Sequence, residues 1–469
     1  MKITTNFNEN IDFIEKGIGL SESYDVGRRE LKFFEKRINL YFLTGMVDSW
    51  QLIEVVNSIL ALPRDEEYSP ELIYQNLAHH NLTLLDDLNQ IIVEILNGMA
   101  VILLEDSLQA ISIDVRSYPN RSVDEPDMEK VIRGAHDGFT ENFHINIQLL
   151  RRRIKDSRLR NKLFLIGEES PTYVCLVYLE GVCDEYLLKK VKERLDTVKT
   201  EHLIMTDKGL EEMIIRRKKL NPYPLVRYTE RADTVAIHLY QGMFALFVDT
   251  SPSVILAPAT IFDHMMHFEE YRQTPVAGTY LRWIRFLGIF ISIFLTPIWL
   301  ILVRNDYLPG ILEMLTPDAE TKVNIYLQVI AAEVGVEFLR LASIHTPNSL
   351  ATSMSLIAGF LLGDFAVNVG LFSIQTVLLV AISAIGTYLT PSYELGLANK
   401  IAKMLFIVAI IFLDWYGFVI LFLVWIIYLI RLKSFGKPYL YPLIPFNFRR
   451  FIKIFIRFPS KNKVKNKRR

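Results

Sequence analysis

Residues 286–303 read FLGIFISIFLTPIWLILV, a run of 18 residues without a charge. That is about the shortest helix that crosses the hydrocarbon layer of a bilayer. Arg282 and Arg285 stand just before it. Arginine flanking a span marks the cytoplasmic side, and the basic C-terminal residues carry the same mark. Both flanks of the membrane region are therefore expected on the cytoplasmic side, which requires an even number of crossings.

Charge divides the 469-residue chain around this run. Residues 1–285 hold 34 Lys and Arg against 43 Asp and Glu, residues 286–430 hold 5 against 9, and residues 431–469 hold 13 against none. The formal net charge of zero thus conceals −9, −4 and +13. This is the signature of a soluble region, a membrane region and a basic tail. The mean hydropathy of +0.23 is high for a soluble protein. A hydrophobic content of 51% excludes a disordered chain or a fibre. Two cysteines, Cys175 and Cys183, exclude a disulfide scaffold, and Cys175 is expected to be a small core residue. The chain opens MKITTNFNEN, so no export signal is expected and the soluble region belongs in a reducing compartment.

Later apolar runs suggest four crossings: 286–303, about 349–367, about 369–390 and about 404–430. The count rises to six if 323–345 also crosses and 404–430 splits or tilts. Residues 323–345, VNIYLQVIAAEVGVEFLRLASIH, carry Glu333 and Glu337 on one helical face, with Arg340 three residues on. Two readings stay open, an interfacial helix with a structural salt bridge and a helix lining a polar pore. Asp364, beside Gly363, and Asp414, near Gly417, are the other carboxylates in apolar surroundings. A charge at membrane depth is costly, so Glu333, Glu337, Arg340, Asp364 and Asp414 are the candidate pore or polar membrane residues.

The soluble region reads as α/β. Residues 141–156 and 184–199 have helical periodicity, and Asp207 is placed to cap a further helix. Residues 173–179, 233–240, 243–249 and 253–258 read as strands. NGMAVILLEDSLQAI at 97–111 returns as QGMFALFVDTSPSVI at 241–255, a spacing of 144. Two related α/β subdomains follow. The expected layout is an N-terminal segment 1–39, subdomains 40–125 and 160–280 joined by a helical region 126–159, a multi-pass helical membrane domain 281–430 and a cytoplasmic tail 431–469.

No catalytic constellation is present, and neither a phosphate-binding loop nor a zinc motif occurs. No cofactor or metal is expected. His264 and His267 have a spacing that could hold a metal, but a packing role is the expectation. Arg151, Arg152 and Arg153 read as a solvated helix edge or a domain contact. In the tail, 432–446 reads as an irregular interfacial segment. FRRFIKIFIRF at 448–458 mixes basic and large apolar residues, which suits anionic lipid rather than nucleic acid.

Several segments, in order and spacing, resemble one family. RSVDEPDMEKVIRG at 121–134 supplies Glu125, Pro126, Glu129, Arg133 and Gly134. AHDGFTENFHINIQLLRRRIKD at 135–156 supplies Gly138, Phe139, Arg152 and Arg153. TERAD supplies Thr229, Glu230, Arg231 and Asp233, and VDTSPSVILAPAT supplies Asp249, Pro252 and Pro258. The series is similar to the A subunits of GerA-type spore germination receptors. YLRWIRFLG, IHTPNSLATSMSLIAG, GDFAVNVGLF, PSYELGLANK and GKPYLYPLIPFN narrow the resemblance to a branch without receptor subunits of its own. Departures are Ala135, Ala232, Thr250 and the run Leu339-Arg340-Leu341-Ala342, which lacks the receptors' acid.

The resemblance implies a non-enzymatic protein of the spore inner membrane, with its soluble region and tail on the cytoplasmic side. It implies a homo-oligomeric monovalent-cation channel that amplifies germination alongside other membrane proteins of the germination machinery. The alternative it leaves is a nutrient-receptor A subunit, or a scaffold without conduction.

Overall fold

The computed structural model describes residues 1–33, 35–62, 70–77, 79, 81–117, 137–215, 220–308, 310–317, 321–345 and 365–458. The chain forms two compact units: Met1–Arg217 with Val226–Pro258, and Lys218–Leu225 with Ala259–Arg469.

The first unit is one α/β design used twice. The first copy holds α1 (Phe7–Ile18), β1 (Val26–Phe33), β2 (Lys36–Leu43), α2 (Ser49–Leu60), α3 (Pro70–Asn76), β3 (Leu82–Leu85), α4 (Leu88–Leu96), β4 (Ala100–Leu104) and β5 (Ala110–Ile113). The second holds α5 (Phe143–Arg153), β6 (Leu159–Ile166), β7 (Thr172–Leu179), α6 (Glu185–Thr197), α7 (Thr206–Ile214), β8 (Arg227–Thr229), α8 (Ala232–Tyr240), β9 (Phe244–Val248) and β10 (Val254–Ala257). The antiparallel sheets have matching orders, β1-β2-β4-β5-β3 and β6-β7-β9-β10-β8. Strand β4, AVILL, is buried throughout because helices cover both faces. Val101 and Leu103 pack towards α1 and α4, and Ile102 and Leu104 towards α2 and α3.

Equivalence reaches individual bonds. Thr4, Asn6 and Asn10 recur at a spacing of 136 as Thr140, Asn142 and Asn146. Asn6 and Asn142 cap α1 and α5. Asn10 Oδ1 accepts from Thr4 N at 3.0 Å while its Nδ2 donates to Thr4 O at 2.7 Å. Asn146 repeats this with Thr140 at 2.7 and 2.6 Å. In the hairpin repeat, Gly98 and Gly242 both have φ +89°, a left-handed conformation that glycine tolerates. Ser107 and Ser251 make the same turn, accepting from the amide two residues on.

Three expectations need correction. Residues 233–240 form helix α8, not a strand. Val235, Ile237 and Leu239 alternate in sequence, but the buried apolar residues are Ala232, Val235 and Leu239, which is helical spacing. The first subdomain begins before residue 40: α1, β1 and the start of β2 fall in 1–39. Asp207 lies inside the first turn of α7 rather than at its cap, where its charge still suits the helix N-terminus.

The second unit is helical. It contains α9 (Ile261–Met265), α10 (Glu269–Arg272), α11 (Pro275–Arg304), a 3-10 helix (Gly310–Leu315), α12 (Ile325–His345), α13 (Ile374–Tyr388), α14 (Tyr393–Arg431) and α15 (Phe448–Phe455). Among the described residues two helices are long and apolar enough to cross a bilayer, α11 with 30 residues and α14 with 39.

Helix α14 is a hairpin. Asp414 has φ 55° and ψ −146°, which breaks the helix into two arms. Phe406 in the first arm lies 5.2 Å from Phe418 and 6.0 Å from Trp425 in the second, ring centre to ring centre. In an unbroken helix residues 406 and 425 would be roughly 28 Å apart. The arms meet so closely at Gly417 that an added Cβ would lie 2.2 Å from the Ala409 carbonyl oxygen. The expected single passage at 404–430 is thus two antiparallel arms, one of the two ways in which the six-crossing alternative allowed for it.

Helix α12 lies lengthwise among its neighbours. Near its start, Tyr326 sits 5.7 Å from the guanidinium of Arg304, at the distal end of α11. Near its finish, Arg340 lies 4.9 Å from the Tyr393 ring, at the beginning of α14. Helix α13 ends at the proximal end, where an added Cβ on Gly386 would lie 2.4 Å from the Gly288 carbonyl oxygen.

Lys433–Ser434 and Lys437–Pro438 pair as a short hairpin, so 432–446 is not wholly irregular. Arg282 binds Glu270 at 2.8 Å and donates to the carbonyls of Lys453 and Ile454 in α15 at 2.8 and 2.9 Å. Arg285 reaches the other Glu270 oxygen at 2.9 Å.

Two expectations follow. Asn10→Ala and Asn146→Ala should each destabilise the chain by about 1–3 kcal/mol, since each leaves two backbone groups without their partner. Thermal unfolding of the purified protein checks whether the two losses are similar; a loss at one site alone would break the equivalence. Both cysteines are buried. Burial raises both thiols, Cys183 up to about 12 and Cys175 well above its ordinary value. Neither should react with a thiol reagent at pH 8 until denaturant is added, which a colorimetric thiol assay reads directly.

Candidate functional site

Helix α12 presents Glu333 and Glu337 one turn apart, and the first arm of α14 presents Lys400 and Lys403 opposite them. Lys403 Nζ donates to both oxygens of Glu333 at 2.7 Å and to Ser383 Oγ of α13 at 3.0 Å. Ser383 Oγ donates onward to the Ser292 carbonyl of α11 at 3.1 Å. Lys403 is 1% exposed and Glu333 is 8% exposed, so this pair is inside the bundle. Glu337 binds Lys400 and Arg340. Two acids therefore face three bases, and the cluster carries a formal net charge of +1.

The physical cost explains the arrangement. A lysine removed from water into an apolar bundle is strongly unfavourable unless a carboxylate and further hydrogen bonds compensate it. Glu333 and Ser383 supply both. The cluster ties α12 to α14, and through Ser383 to α13 and α11.

The structure joins some expected residues and separates others. Glu333, Glu337 and Arg340 belong to this ladder. Asp414 does not: it forms the turn of the α14 hairpin, accepting from Asn305 Nδ2 at 3.2 Å and lying 3.4 Å from Arg304 Nε. Arg304 also donates to the Ile410 carbonyl at 2.7 Å, so it closes the C-terminus of the first arm. Asp364 lies outside the described residues.

Sequence reasoning missed Lys400, Lys403 and Ser383. Hydropathy alone starts the span at 404, which leaves both lysines on its flank. The helix start Ser392 was the available signal: its hydroxyl accepts from Leu395 N at 3.3 Å, and a helix counted from that cap carries both lysines inside.

The motif residues of the first unit form a structural strap. Phe139 N donates to the Glu230 carbonyl at 2.7 Å, and Gly138 bridges to Arg231. Arg231, 1% exposed, grips Asp233 at 2.8 and 3.1 Å, and its amide donates to Thr229 Oγ1 at 3.3 Å. The first copy has the same strap, from Ile3 N to the Asp86 carbonyl at 3.0 Å. Asp249 N donates to the Tyr173 carbonyl at 2.9 Å, and Pro252 follows in the β9–β10 turn. Pro258 closes the first unit. Arg153 pairs with Asp137 and Arg152 is exposed. The domain contact is made by Arg151, which binds Asp25 at 2.8 and 3.1 Å. Glu125, Pro126, Glu129, Arg133 and Gly134 lie outside the described residues.

His264 is buried 6.3 Å from the Tyr439 ring, and His267 Nδ1 accepts from the Glu269 amide at 3.2 Å. Neither belongs to a cluster of three or more potential metal ligands among the described residues. Among the described residues, Glu169, Glu201 and His202 bring ligand atoms within 4.8 Å of one another, all on exposed side chains.

Lys403→Met should cost about 3–5 kcal/mol, because it strands Glu333 as a buried charge. Lys403→Met with Glu333→Leu should regain most of that loss. Apparent melting temperatures in detergent test this; a double variant as unstable as the single would refute the pairing energetics.

The profile of the family described as Bacillus/Clostridium GerA spore germination protein matches residues 13–469. Stage V sporulation protein AF of Bacillus subtilis (strain 168) is 42% identical over 461 residues, covering 97% of this chain and 93% of its own length. Spore germination protein A1 of Bacillus subtilis (strain 168) is 30% identical over 431 residues, covering 91% of this chain and 88% of its own. Spore germination protein GerLA of Bacillus cereus is 28% identical over 433 residues, covering 90% and 87%. The crystal structure of the N-terminal domain of the A subunit of the Bacillus megaterium spore germinant receptor GerK3 aligns at a TM-score of 0.44 and 23% identity, over 56% of this chain and 98% of that one.

Proposed function

The chain belongs to the GerA family of spore germination proteins, and from that premise we propose that it is a multi-pass subunit of the spore inner membrane. In this reading it forms a homo-oligomeric monovalent-cation channel that amplifies germination, alongside other membrane proteins of the germination machinery. The observation that carries the reading is the charged ladder of Glu333, Glu337, Lys400 and Lys403 inside a largely apolar bundle. Ionisable groups kept at membrane depth are costly and mark ion pathways or their gates. Because both acids are already paired, they act in conduction by exchanging partners, not as free cation ligands.

Six crossings fit this reading better than four. Helix α11 runs outward and α12 runs back; the first arm of α14 runs outward and the second runs back. Helix α13 also runs back, and the apolar sequence 349–367 is available for the outward passage before it. The soluble unit and the tail then share the cytoplasmic side. Exposed Arg449, Arg450 and Lys453 on α15 suit anionic lipid headgroups there.

A scaffold without conduction is the second reading. It is favoured by the saturation of both ladder acids, which a purely structural lock would also require. The nutrient-receptor reading loses support at Leu339-Arg340-Leu341-Ala342.

Reconstitution with candidate partners separates these readings. We expect cation flux that changes when Glu333→Gln and Glu337→Gln are combined; unchanged flux would remove the ladder from the path. Full germination activity with the helical unit replaced by an unrelated anchor would favour the scaffold. Cysteines placed at 306–317 and at 433–446 should label from opposite sides, and labelling from one side would overturn the six-crossing topology.

A further inference from the structure

One face of α11 forms a wholly apolar trench. Its stripe runs from Phe290 to Leu302, with Leu308, Leu312 and Leu315 as a roof and Leu379 of α13 as a wall. The stripe extends over thirteen residues, roughly 18 Å along the helix axis. The cavity holds about 210 Å³, and no polar atom lines it. Trp299 fixes the roof by donating from Nε1 to the Leu315 carbonyl at 3.0 Å.

We infer that this trench is a lateral binding site for one acyl chain of a membrane lipid in the distal leaflet. Three features favour that occupant. Water needs two to four polar partners in a cavity, and here there are none. The trench lies along the uncharged run 286–303, so it opens at hydrocarbon depth if that run spans. Its long axis follows the helix, as lipid chains do in a bilayer. Trp299 lies five residues from the end of α11, roughly 7–8 Å along the axis from Arg304, which places the trench near distal mid-chain depth.

The inference rests on the membrane reading of α11, and one experiment keeps the two apart. The full chain is reconstituted in phosphatidylcholine vesicles whose acyl chains carry bromine at mid-chain. Trp50, Trp283, Trp415 and Trp425 are replaced by Phe, leaving Trp299 as the reporter; if that variant misfolds, the signal is taken as wild type minus Trp299→Phe. Trp299 emission should be quenched by brominated lipid, and Leu312→Phe, which fills the trench, should relieve the quenching. Phe412→Trp, on an exposed position of α14, serves as the control for membrane immersion. Quenching there with none at Trp299, or quenching at Trp299 that Leu312→Phe leaves unchanged, would overturn the acyl-chain site alone. No quenching at either position would overturn the membrane reading and the site with it.

Discussion

A lysine inside an apolar bundle fixes most of the second unit. Lys403 needs a carboxylate on a neighbouring helix, and Glu333 supplies it only if α12 lies lengthwise beside α14. Ser383 completes the coordination only if α13 lies against both, and its own proton goes to α11. One buried charge thus specifies the neighbours of four helices. Hydrophobic contact alone would not, since apolar helices pack in many registers at similar cost. The hairpin of α14 depends on a second polar contact at the opposite end, where Arg304 and Asn305 hold Asp414.

The first unit is specified differently. Its two sheets have the same order because the same local devices recur: an asparagine that clamps the preceding threonine, a glycine in left-handed conformation before a buried strand, a serine that closes the next turn. Each device satisfies backbone groups that burial would otherwise strand. Residues 22–25 then join the copies, with Asp25 on Arg151 and Glu22 on the Tyr178 hydroxyl at 2.8 Å. The described strap residues, Gly138, Phe139, Thr229, Glu230, Arg231 and Asp233, serve this architecture.

Much of this was legible in the sequence, and the misses have physical causes. The hairpin repeat at 97–111 and 241–255 was visible because buried strands keep their apolar run. The Thr–Asn clamps escaped because three polar residues in a helix start look like ordinary capping. Residues 233–240 alternate apolar side chains as a strand does, and only tertiary burial selects the helical face. The acids of α12 were visible as expensive, but their partners were not, because Lys400 and Lys403 stood next to a boundary drawn by hydropathy. Asp414 looked like a buried functional acid because a sequence does not reveal where an apolar run folds back on itself.

One loop carries a consequence for synthesis. Tyr223 receives a hydrogen bond from Trp425 Nε1 at 2.6 Å, Asn221 one from the Tyr428 hydroxyl at 2.8 Å, and the Leu225 carbonyl one from Ser434 Oγ at 2.6 Å. These partners are translated some two hundred residues later. Domains generally fold from the N-terminus as they leave the ribosome, and both sheets are complete once residue 257 is made. The 221–225 loop therefore gains these partners only after the second arm of α14 and Ser434 have been made.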